Sequence, residues 1–327
     1  MQKVLVTGAT GFTGGYLARA LNKKGYKVRC LVRSKNKAAD LDSLGMELVV
    51  GDLTDKESLK HAVKDIDTVY HIAAVYREQN IPRKTFWNVN VEGTKNLLEV
   101  SLDAGIARFV HCSTVGVQGE IKNPPASEDA PYNPGDYYQE SKMEGELIAL
   151  DFFRKRGLPG VVFRPVGIYG PGDTRFLKLF KFISNGKFRM FGSGKVLYHL
   201  TYIDDLVNGI ILVGETPGIE GEIFTLAGER YTTLNEFVQT IADVMNVRLK
   251  KTKFPVWPLW VAGAICEFIC TPLKISPPVY RRRVDFFIKD RAFDITKAKK
   301  VLGYKPEISI KEGLKKTGDW YKEQGLI

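Results

Sequence analysis

Along the first half of the chain, short apolar runs with strong β preference alternate with segments of helical period. Val4-Leu5-Val6 opens the series, and Tyr16-Leu17-Ala18-Arg19-Ala20-Leu21 follows at helical spacing. The pattern predicts further strands at Lys27–Val32, Met46–Val50, Asp67–His71, Arg108–Ser113 and Gly160–Arg164. It predicts helices from a cap at Thr54 to about Val63, over Phe86–Ala104, and from Asp136 to about Arg156. Thr54 with Glu57 three residues on has the form of a capping box. Such alternation implies an α/β fold with a doubly wound parallel sheet and right-handed crossovers. Beyond Pro165 the pattern becomes mixed. Helices are expected at Thr174–Asn185, up to Val213, at Thr233–Met245, Asp294–Leu302 and Ile310–Gln324, with strands near Lys187–Phe191 and Glu222–Leu226. The chain therefore divides into residues 1–165 and a smaller mixed α/β region, 166–327, which share their boundary; some later segments return to the first part.

Between the first strand and its helix lies Thr7-Gly8-Ala9-Thr10-Gly11-Phe12-Thr13-Gly14, with glycines spaced G-x-x-G-x-x-G. Without side chains, such a turn lets the backbone approach a pyrophosphate closely. The free N–H groups and positive dipole end of the helix then hold the phosphates. A glycine-rich surface turn without a ligand is the plain alternative, but the strand before and helix after supply the context a nucleotide site needs. Gly8, Thr10, Gly11, Phe12, Thr13 and Gly14 are accordingly candidate cofactor residues. Ala73 and Ala74, small residues just after a predicted strand, are candidates for the same reason. Enzymes for NAD usually end the second strand in an acid on the ribose; here Val32 is followed by Arg33, with Lys35 and Lys37 close by. A guanidinium suits the 2′-phosphate of NADP, so NADP is favoured over NAD, against the plain alternative of a charged loop.

Composition adds boundaries. The chain has 327 residues, 44% of them hydrophobic, enough for a large core. Cys30, Cys112, Cys266 and Cys270 and the four histidines are scattered, with no H-E-x-x-H and no paired C-x-x-C. No metal is expected, and reduced thiols fit a cytoplasmic protein. The first strand begins so early that no signal peptide is expected before it. The net charge of +11 is concentrated: residues 248–327 carry 18 Lys/Arg against 8 Asp/Glu. No nucleic-acid module accompanies this excess, so nucleic acid is not an expected partner; a solvated face accounts for most of those lysines. Residues 254–273 are the most apolar stretch, interrupted by Pro255, Pro258 and Pro272, with Glu267 inside and Lys250, Lys251, Lys253, Lys274 and Arg281–Arg283 around it. It is too short and broken to span a bilayer. Two readings stay open: a lid helix over the substrate pocket, which the prolines at its start favour, or a peripheral membrane contact in which basic residues meet anionic headgroups.

Thr114 follows the fifth strand, at the end where ligands sit in open α/β sheets. After a Pro-rich loop comes Tyr138-Gln139-Glu140-Ser141-Lys142, which puts Tyr138 and Lys142 on one helix face. Of 14 tyrosines, only Tyr138 has a lysine four residues on. Together with Asp52-Leu53, His71-x-Ala73-Ala74, Asn90-x-x-Gly93-Thr94-x-Asn96 and Arg164-Pro165 leading to Tyr169-Gly170-Pro171, these motifs resemble the extended short-chain dehydrogenase/reductase (NAD-dependent epimerase/dehydratase) family over essentially the whole chain. Within it the chain looks most like the 3β-hydroxysteroid dehydrogenase, sterol-4-carboxylate 3-dehydrogenase and dihydroflavonol-reductase-like branch, on Arg164 to Asp173, His199 to Asp205, and Phe293 through Tyr304.

The resemblance implies a Rossmann sheet and NAD(P)-dependent hydride transfer at a secondary alcohol or ketone, steroid-like in this branch. It implies Tyr138 as general acid/base, Lys142 supporting the phenolate and the nicotinamide ribose, and Thr114 orienting the substrate oxygen. Asp52 and Leu53 would contact the adenine, Asn90 would support the active-site helix, and Pro165 and Gly167 would line the cofactor. A homodimer through the helices at 86–104 and 137–156 is expected on the same ground. Two other function classes compete. One is an NAD-dependent nucleotide-sugar 4-epimerase using the same Tyr138 and Thr114. Gly167, Tyr198-His199 and Val115-Gly116 depart from the residues such sugar enzymes and the related dehydratases carry there, although Arg281–Arg283 or Arg291 are candidates for a phosphate contact. The other is a nucleotide-sensing binding protein, which the Tyr/Lys pair disfavours.

Overall fold

The strands of the first half are short and nearly all apolar, as strands covered on both faces must be. In the computed structural model, which describes residues 2–76, 81–250, 252–270 and 281–327, they are β1 (Lys3–Thr7), β2 (Lys27–Val32), β3 (Glu47–Val50), β4 (Thr68–His71), β5 (Arg108–Cys112) and β6 (Gly160–Pro165). Seven short strands follow: β7 (Gly167–Tyr169), β8 (Met190–Phe191), β9 (Leu197–Tyr198), β10 (Leu200–Tyr202), β11 (Ile223–Leu226), β12 (Thr232–Thr233) and β13 (Lys253–Phe254). The central sheet has seven strands in the order β11-β6-β5-β4-β1-β2-β3. Every pairing in it is parallel. This is a Rossmann-type α/β sheet. From β1 the chain winds one way through β2 and β3, then the other way from β4 onward. The carboxyl ends of β1 and β4 thus flank the crevice where such sheets bind ligands. β11, from the second half of the chain, extends this sheet beside β6.

The covering helices include α1 (Phe12–Lys23), α2 (Ala39–Asp42), α3 (Lys56–Val63), α4 (Arg83–Phe86), α5 (Gly93–Asp103), α6 (Tyr137–Lys155), α7 (Leu177–Ser184) and α8 (Ile203–Glu215). They continue with α9 (Leu234–Val244), α10 (Trp257–Cys270), α11 (Arg281–Ile288), α12 (Thr296–Leu302) and α13 (Ile310–Glu323). Helix α8 lies against α1, and one apolar core runs from Val4, Val6 and Leu17 to Ile203, Ile210 and Tyr304. Three local readings shift. Asp55, not Thr54, caps α3 by accepting from the Glu57 and Ser58 N–H groups, while Thr54 donates to Asp52. The helix expected over Phe86–Ala104 is not uniform: a widened π-helical stretch, Trp87–Glu92, joins α4 to α5. Helix α7 begins at Leu177 rather than Thr174, because Asp173 turns the chain first and accepts from Arg175 N–H. Residues 271–273 of the apolar segment, and Lys251 and Lys274 beside it, lie outside the described residues, as do the side chains of Arg281–Arg283. No helix among the described residues is long and apolar enough to cross a membrane.

Helix α6 is tied to the sheet by a buried ion pair. The Arg164 guanidinium donates to both carboxylate oxygens of Glu146, at 3.1 and 2.5 Å. It also donates to Tyr132 Oη at 3.2 Å and to the Glu128 carbonyl at 2.8 Å, while Tyr132 donates to Glu146 at 2.6 Å. Glu128 Oε1 in turn accepts the Thr225 N–H of β11. The loop before α6 is therefore fastened to β6 and β11. Both members of the ion pair are almost wholly buried, so the pair's own net value is small, yet either charge alone would be stranded. Glu146→Ala is expected to cost about 3–5 kcal/mol in urea unfolding. A loss well under ~1 kcal/mol would show that Arg164 finds another partner.

Candidate active site

The crevice is built from close backbone approaches. Gly8, just past β1, has φ +72°, and a Cβ there would lie 2.9 Å from Cα and N of Ala73 at the end of β4. A Cβ on Gly14 would collide with the Gly8 carbonyl. The turn is closed by Gly11 N–H donating to Gly8 O at 2.9 Å. Helix α1 then starts at Phe12 with no side-chain cap and no acid in its first turn. Its free N–H groups and positive dipole end suit a diphosphate. Exposed Thr10 and Gly11 and half-buried Thr13 sit at that rim, and the Phe12 ring lies under the Arg175 guanidinium, 5.8 Å away.

At the ends of β2 and β3, exposed Arg33 comes near Asp52. Burial pushes the Asp52 carboxyl up, but two hydrogen bonds from Thr54 and the Arg33 charge outweigh it and leave it below the usual range. The Leu53 side chain is buried against Gly93 at the start of α5, where an added Cβ would lie 2.7 Å from the Leu53 Cβ. Pro165 ends β6, and Gly167 opens β7 against Leu200 of β10.

A buried polar chain holds β1, β4 and α5 together. Thr94 Oγ1 donates to the Asn90 carbonyl at 2.8 Å, so it accepts from His71 Nε2, 3.0 Å away. His71 Nδ1 is then the acceptor for Thr7 Oγ1 at 2.9 Å. Thr7 Oγ1 itself accepts from the N–H groups of Ile72 and Ala73, each at 3.1 Å. The arrangement needs His71 neutral with its proton on Nε2. Burial, aided by the Lys142 charge, pushes its pKa down to about 3. Asn90, on the π-helical stretch, completes the frame: Oδ1 accepts from Val75 N–H at 2.8 Å, and Nδ2 donates to Val75 O and to Ser141 Oγ of α6. Gly145 permits that contact, since a Cβ there would lie 2.6 Å from the Asn90 carbonyl.

Helix α6 brings the Tyr/Lys pair to the end of β5. Asp136 caps it by accepting from Gln139 N–H at 2.8 Å. One face carries Tyr138, Lys142, Gly145 and Glu146. Buried Lys142 donates from Nζ to the Cys112 carbonyl at 2.6 Å, two residues before Thr114. Burial pulls the Lys142 pKa down, and Glu146 opposes the shift. Half-buried Thr114 accepts the Gly116 N–H at 3.1 Å, which leaves its own O–H free to donate. The Tyr138 ring is edge-on to Tyr76 at 5.2 Å and to Phe86 at 6.4 Å. Lys142 thereby joins the Tyr138 face of α6 to the end of β5 that leads into Thr114, and Gly116 lies against the Gln139 side chain of the same helix.

The family model for the NAD dependent epimerase/dehydratase family matches residues 4–227. The chain belongs to that family. It is an enzyme of the extended short-chain dehydrogenase/reductase type, in a family that binds a nicotinamide dinucleotide. It is similar to the mouse "Sterol-4-alpha-carboxylate 3-dehydrogenase, decarboxylating" (28% identical, covering 97% of this chain and 90% of the relative). It is also similar to "Sterol demethylase protein B" of Methylococcus capsulatus (28%, covering 99% of both). Its fold matches the UDP-glucuronic acid 4-epimerase of Bacillus cereus in complex with NAD, with TM-score 0.79, 26% identity and 99% of each chain covered.

Within this family fold, Tyr198 and His199 serve packing. Tyr198 donates to the Phe286 carbonyl and accepts from Arg291, and the His199 ring contacts Gly228 O and Phe293 N. Arg291 also donates to the carbonyls of Asp285 and Lys289, so it is engaged within the fold. Sequence reasoning missed Glu146, His71 in its linking role, and Arg175, whose guanidinium lies near both Phe12 and Tyr76. The spacing Tyr138, Lys142, Glu146 at four-residue steps was the available signal for the first.

Of the three buried histidines, His71 and His111 are the two expected to make stability most strongly pH-dependent. His111 lies 5.5 Å from His71, ring to ring, and burial with the Lys142 charge holds its pKa well below the usual value. The unfolded chain protonates both near pH 6.5, whereas the folded protein does not. Stability is thus full above that pH and falls as the pH drops below it, by up to about 1.4 kcal/mol per pH unit for each histidine. Urea midpoints between pH 7 and about 5 are expected to show this slope, reduced by one proton in His111→Asn. An unchanged slope in that variant would remove His111 from the account.

Proposed function

We propose that this enzyme transfers a hydride between NADP and an apolar secondary alcohol or ketone, with steroid-like substrates the leading class. The observation that supports it best is the convergence of Lys142 on the Cys112 carbonyl, beside Thr114, with Tyr138 one turn away in aromatic surroundings. The bound dinucleotide supplies the hydride chemistry. Gly8, Gly11 and Gly14 let the backbone meet its diphosphate, Ala73 and Ala74 leave room beside it, and the free turn of α1 offsets its charge. Arg33 meets the 2′-phosphate, next to Asp52 on the adenosine side. Tyr138 gives or takes the proton at the reacting oxygen. The Lys142 ammonium, fixed on β5, favours the phenolate, and Thr114 donates a hydrogen bond that orients that oxygen. The kinship with sterol dehydrogenases supports the substrate class. The cytoplasm, where four free cysteines stay reduced, and a homodimer through α5 and α6 belong to the same reading.

Likeness to a 4-epimerase favours one alternative, a nucleotide-sugar epimerase using the same residues. The ultraviolet spectrum of the purified protein separates the two: empty protein that then binds NADPH supports the dehydrogenase, and tightly retained NAD supports the epimerase. Tyr138→Phe is expected to lower turnover by about 10²–10⁴-fold with dinucleotide affinity kept. Near-full turnover would remove Tyr138 from the role. Arg33→Ala is expected to weaken NADPH binding about tenfold or more and leave NADH nearly unchanged. Equal losses for both would mean that Arg33 does not read the phosphate.

A further inference from the structure

Helix α10 is apolar on nearly every side, and it turns its largest side chains away from the rest of the protein. Its inward stripe holds Leu259, Gly263, Cys266, Glu267 and Cys270, each buried or half-buried. The outward face holds Trp257, Trp260, Val261, Ile265, Phe268 and Ile269, all exposed. Trp257 is 68% accessible and Phe268 is 83% accessible. A lid or a core helix would turn its largest apolar groups inward. Here the one charged residue and both thiols face the protein, while two indoles and a phenyl ring face out. Phe254, just before the helix, is exposed as well. So large a contiguous apolar face marks an interaction surface.

The surrounding charge selects the partner. Between residues 248 and 283 there are eight Lys/Arg and only one acid, Glu267. Arg248, Lys250 and Lys253 are exposed at the entrance to the helix. β13 pairs with β8, which brings exposed Lys187 and half-buried Arg189 to the same end of the molecule. A second copy of the chain would bring the same cationic rim against itself. A surface with anionic headgroups above an apolar layer complements both features. The helix has 14 residues, about 21 Å, short of the ~30 Å apolar thickness of a bilayer. It must therefore lie in the interface rather than cross it, with the tryptophans at headgroup depth.

We propose that α10 and its basic rim dock this enzyme on the surface of an anionic lipid bilayer. The inference does not depend on the reaction assigned above. Two of the four tryptophans lie on the docking face, so fluorescence reports it directly. The full-length protein, mixed with phosphatidylcholine vesicles containing phosphatidylglycerol, is expected to co-sediment with a blue shift in tryptophan emission. Binding is expected to weaken with added salt and with pure phosphatidylcholine. The double variant Trp257→Ser/Phe268→Ser is expected to bind about tenfold or more weakly, with thermal midpoint and NADPH affinity unchanged. The variant removes only exposed rings, so those two controls verify its fold. Tyr138→Phe is expected to bind vesicles as the parent does, so failure of the catalytic assignment would leave this result standing. Three outcomes would overturn the proposal: no co-sedimentation with anionic vesicles, equal binding by the double variant, or a concentration-dependent dimer that the double variant abolishes and vesicles do not displace.

Discussion

The constraint on which the site depends is the contact between the backbone just past β1 and that just past β4. Gly8 and Ala73 come so close that a side chain on Gly8 would strike Ala73 main-chain atoms. A dinucleotide crevice needs that approach, because the phosphates must reach the free N–H groups of α1 without obstruction. Two parallel strands do not fix the geometry of the loops that leave them. Here the buried chain from the Ile72 and Ala73 amides through Thr7, His71 and Thr94 to Asn90 does so. Thr7, His71 and Thr94 each both donate and accept, so one protonation state of His71 satisfies the whole chain. Burial secures that state by making a second proton on the ring costly.

The same economy extends to α6. Asn90 reaches from the β4 loop to Ser141, and Gly145 lets the two backbones meet. One turn on, Glu146 neutralises Arg164 and anchors the loop that precedes the helix. The Tyr138–Lys142 face is thereby held at three heights: by the cap at Asp136, by the Lys142 bond to β5 and by the ion pair with β6. A costly buried ion pair beside this face fits the catalytic role proposed for it, since such geometry tolerates little play. The ion pair makes the helix position specific rather than the fold strong.

The second half of the chain has a different character. Tyr198, His199 and Arg291 form packing contacts with one another and with nearby backbone, while Tyr76 and Phe86 pack edge-on to Tyr138 and the Arg175 guanidinium lies near both Phe12 and Tyr76. The aromatic surroundings of Tyr138 suit the apolar substrate proposed above. The outward-facing rings of α10 extend that apolar character to the surface. An apolar substrate dissolves in lipid far better than in water, so an enzyme seated at a bilayer would meet it at high local concentration.

Much of this was legible in the chain because it rests on local rules. Period-two and period-3.6 patterns, glycines at a strand-helix junction, and a Tyr/Lys pair four residues apart each depend on neighbours within one or two turns. They determined the parallel sheet, the cofactor turn and the Tyr138–Lys142 face. What required the folded molecule depends on residues far apart in sequence. Asp55 rather than Thr54 caps α3 because cap geometry depends on where the preceding turn points. Ile223–Leu226 joins the main sheet because β6 offers an unpaired edge. Thr7, His71 and Thr94 meet only once β1, β4 and α5 are assembled. The direction of α10 was undetermined by its composition, since a helix apolar on nearly all sides has no sequence signal for which side faces inward. Packing against the rest of the molecule decided that, placing Glu267 inward and the tryptophans out.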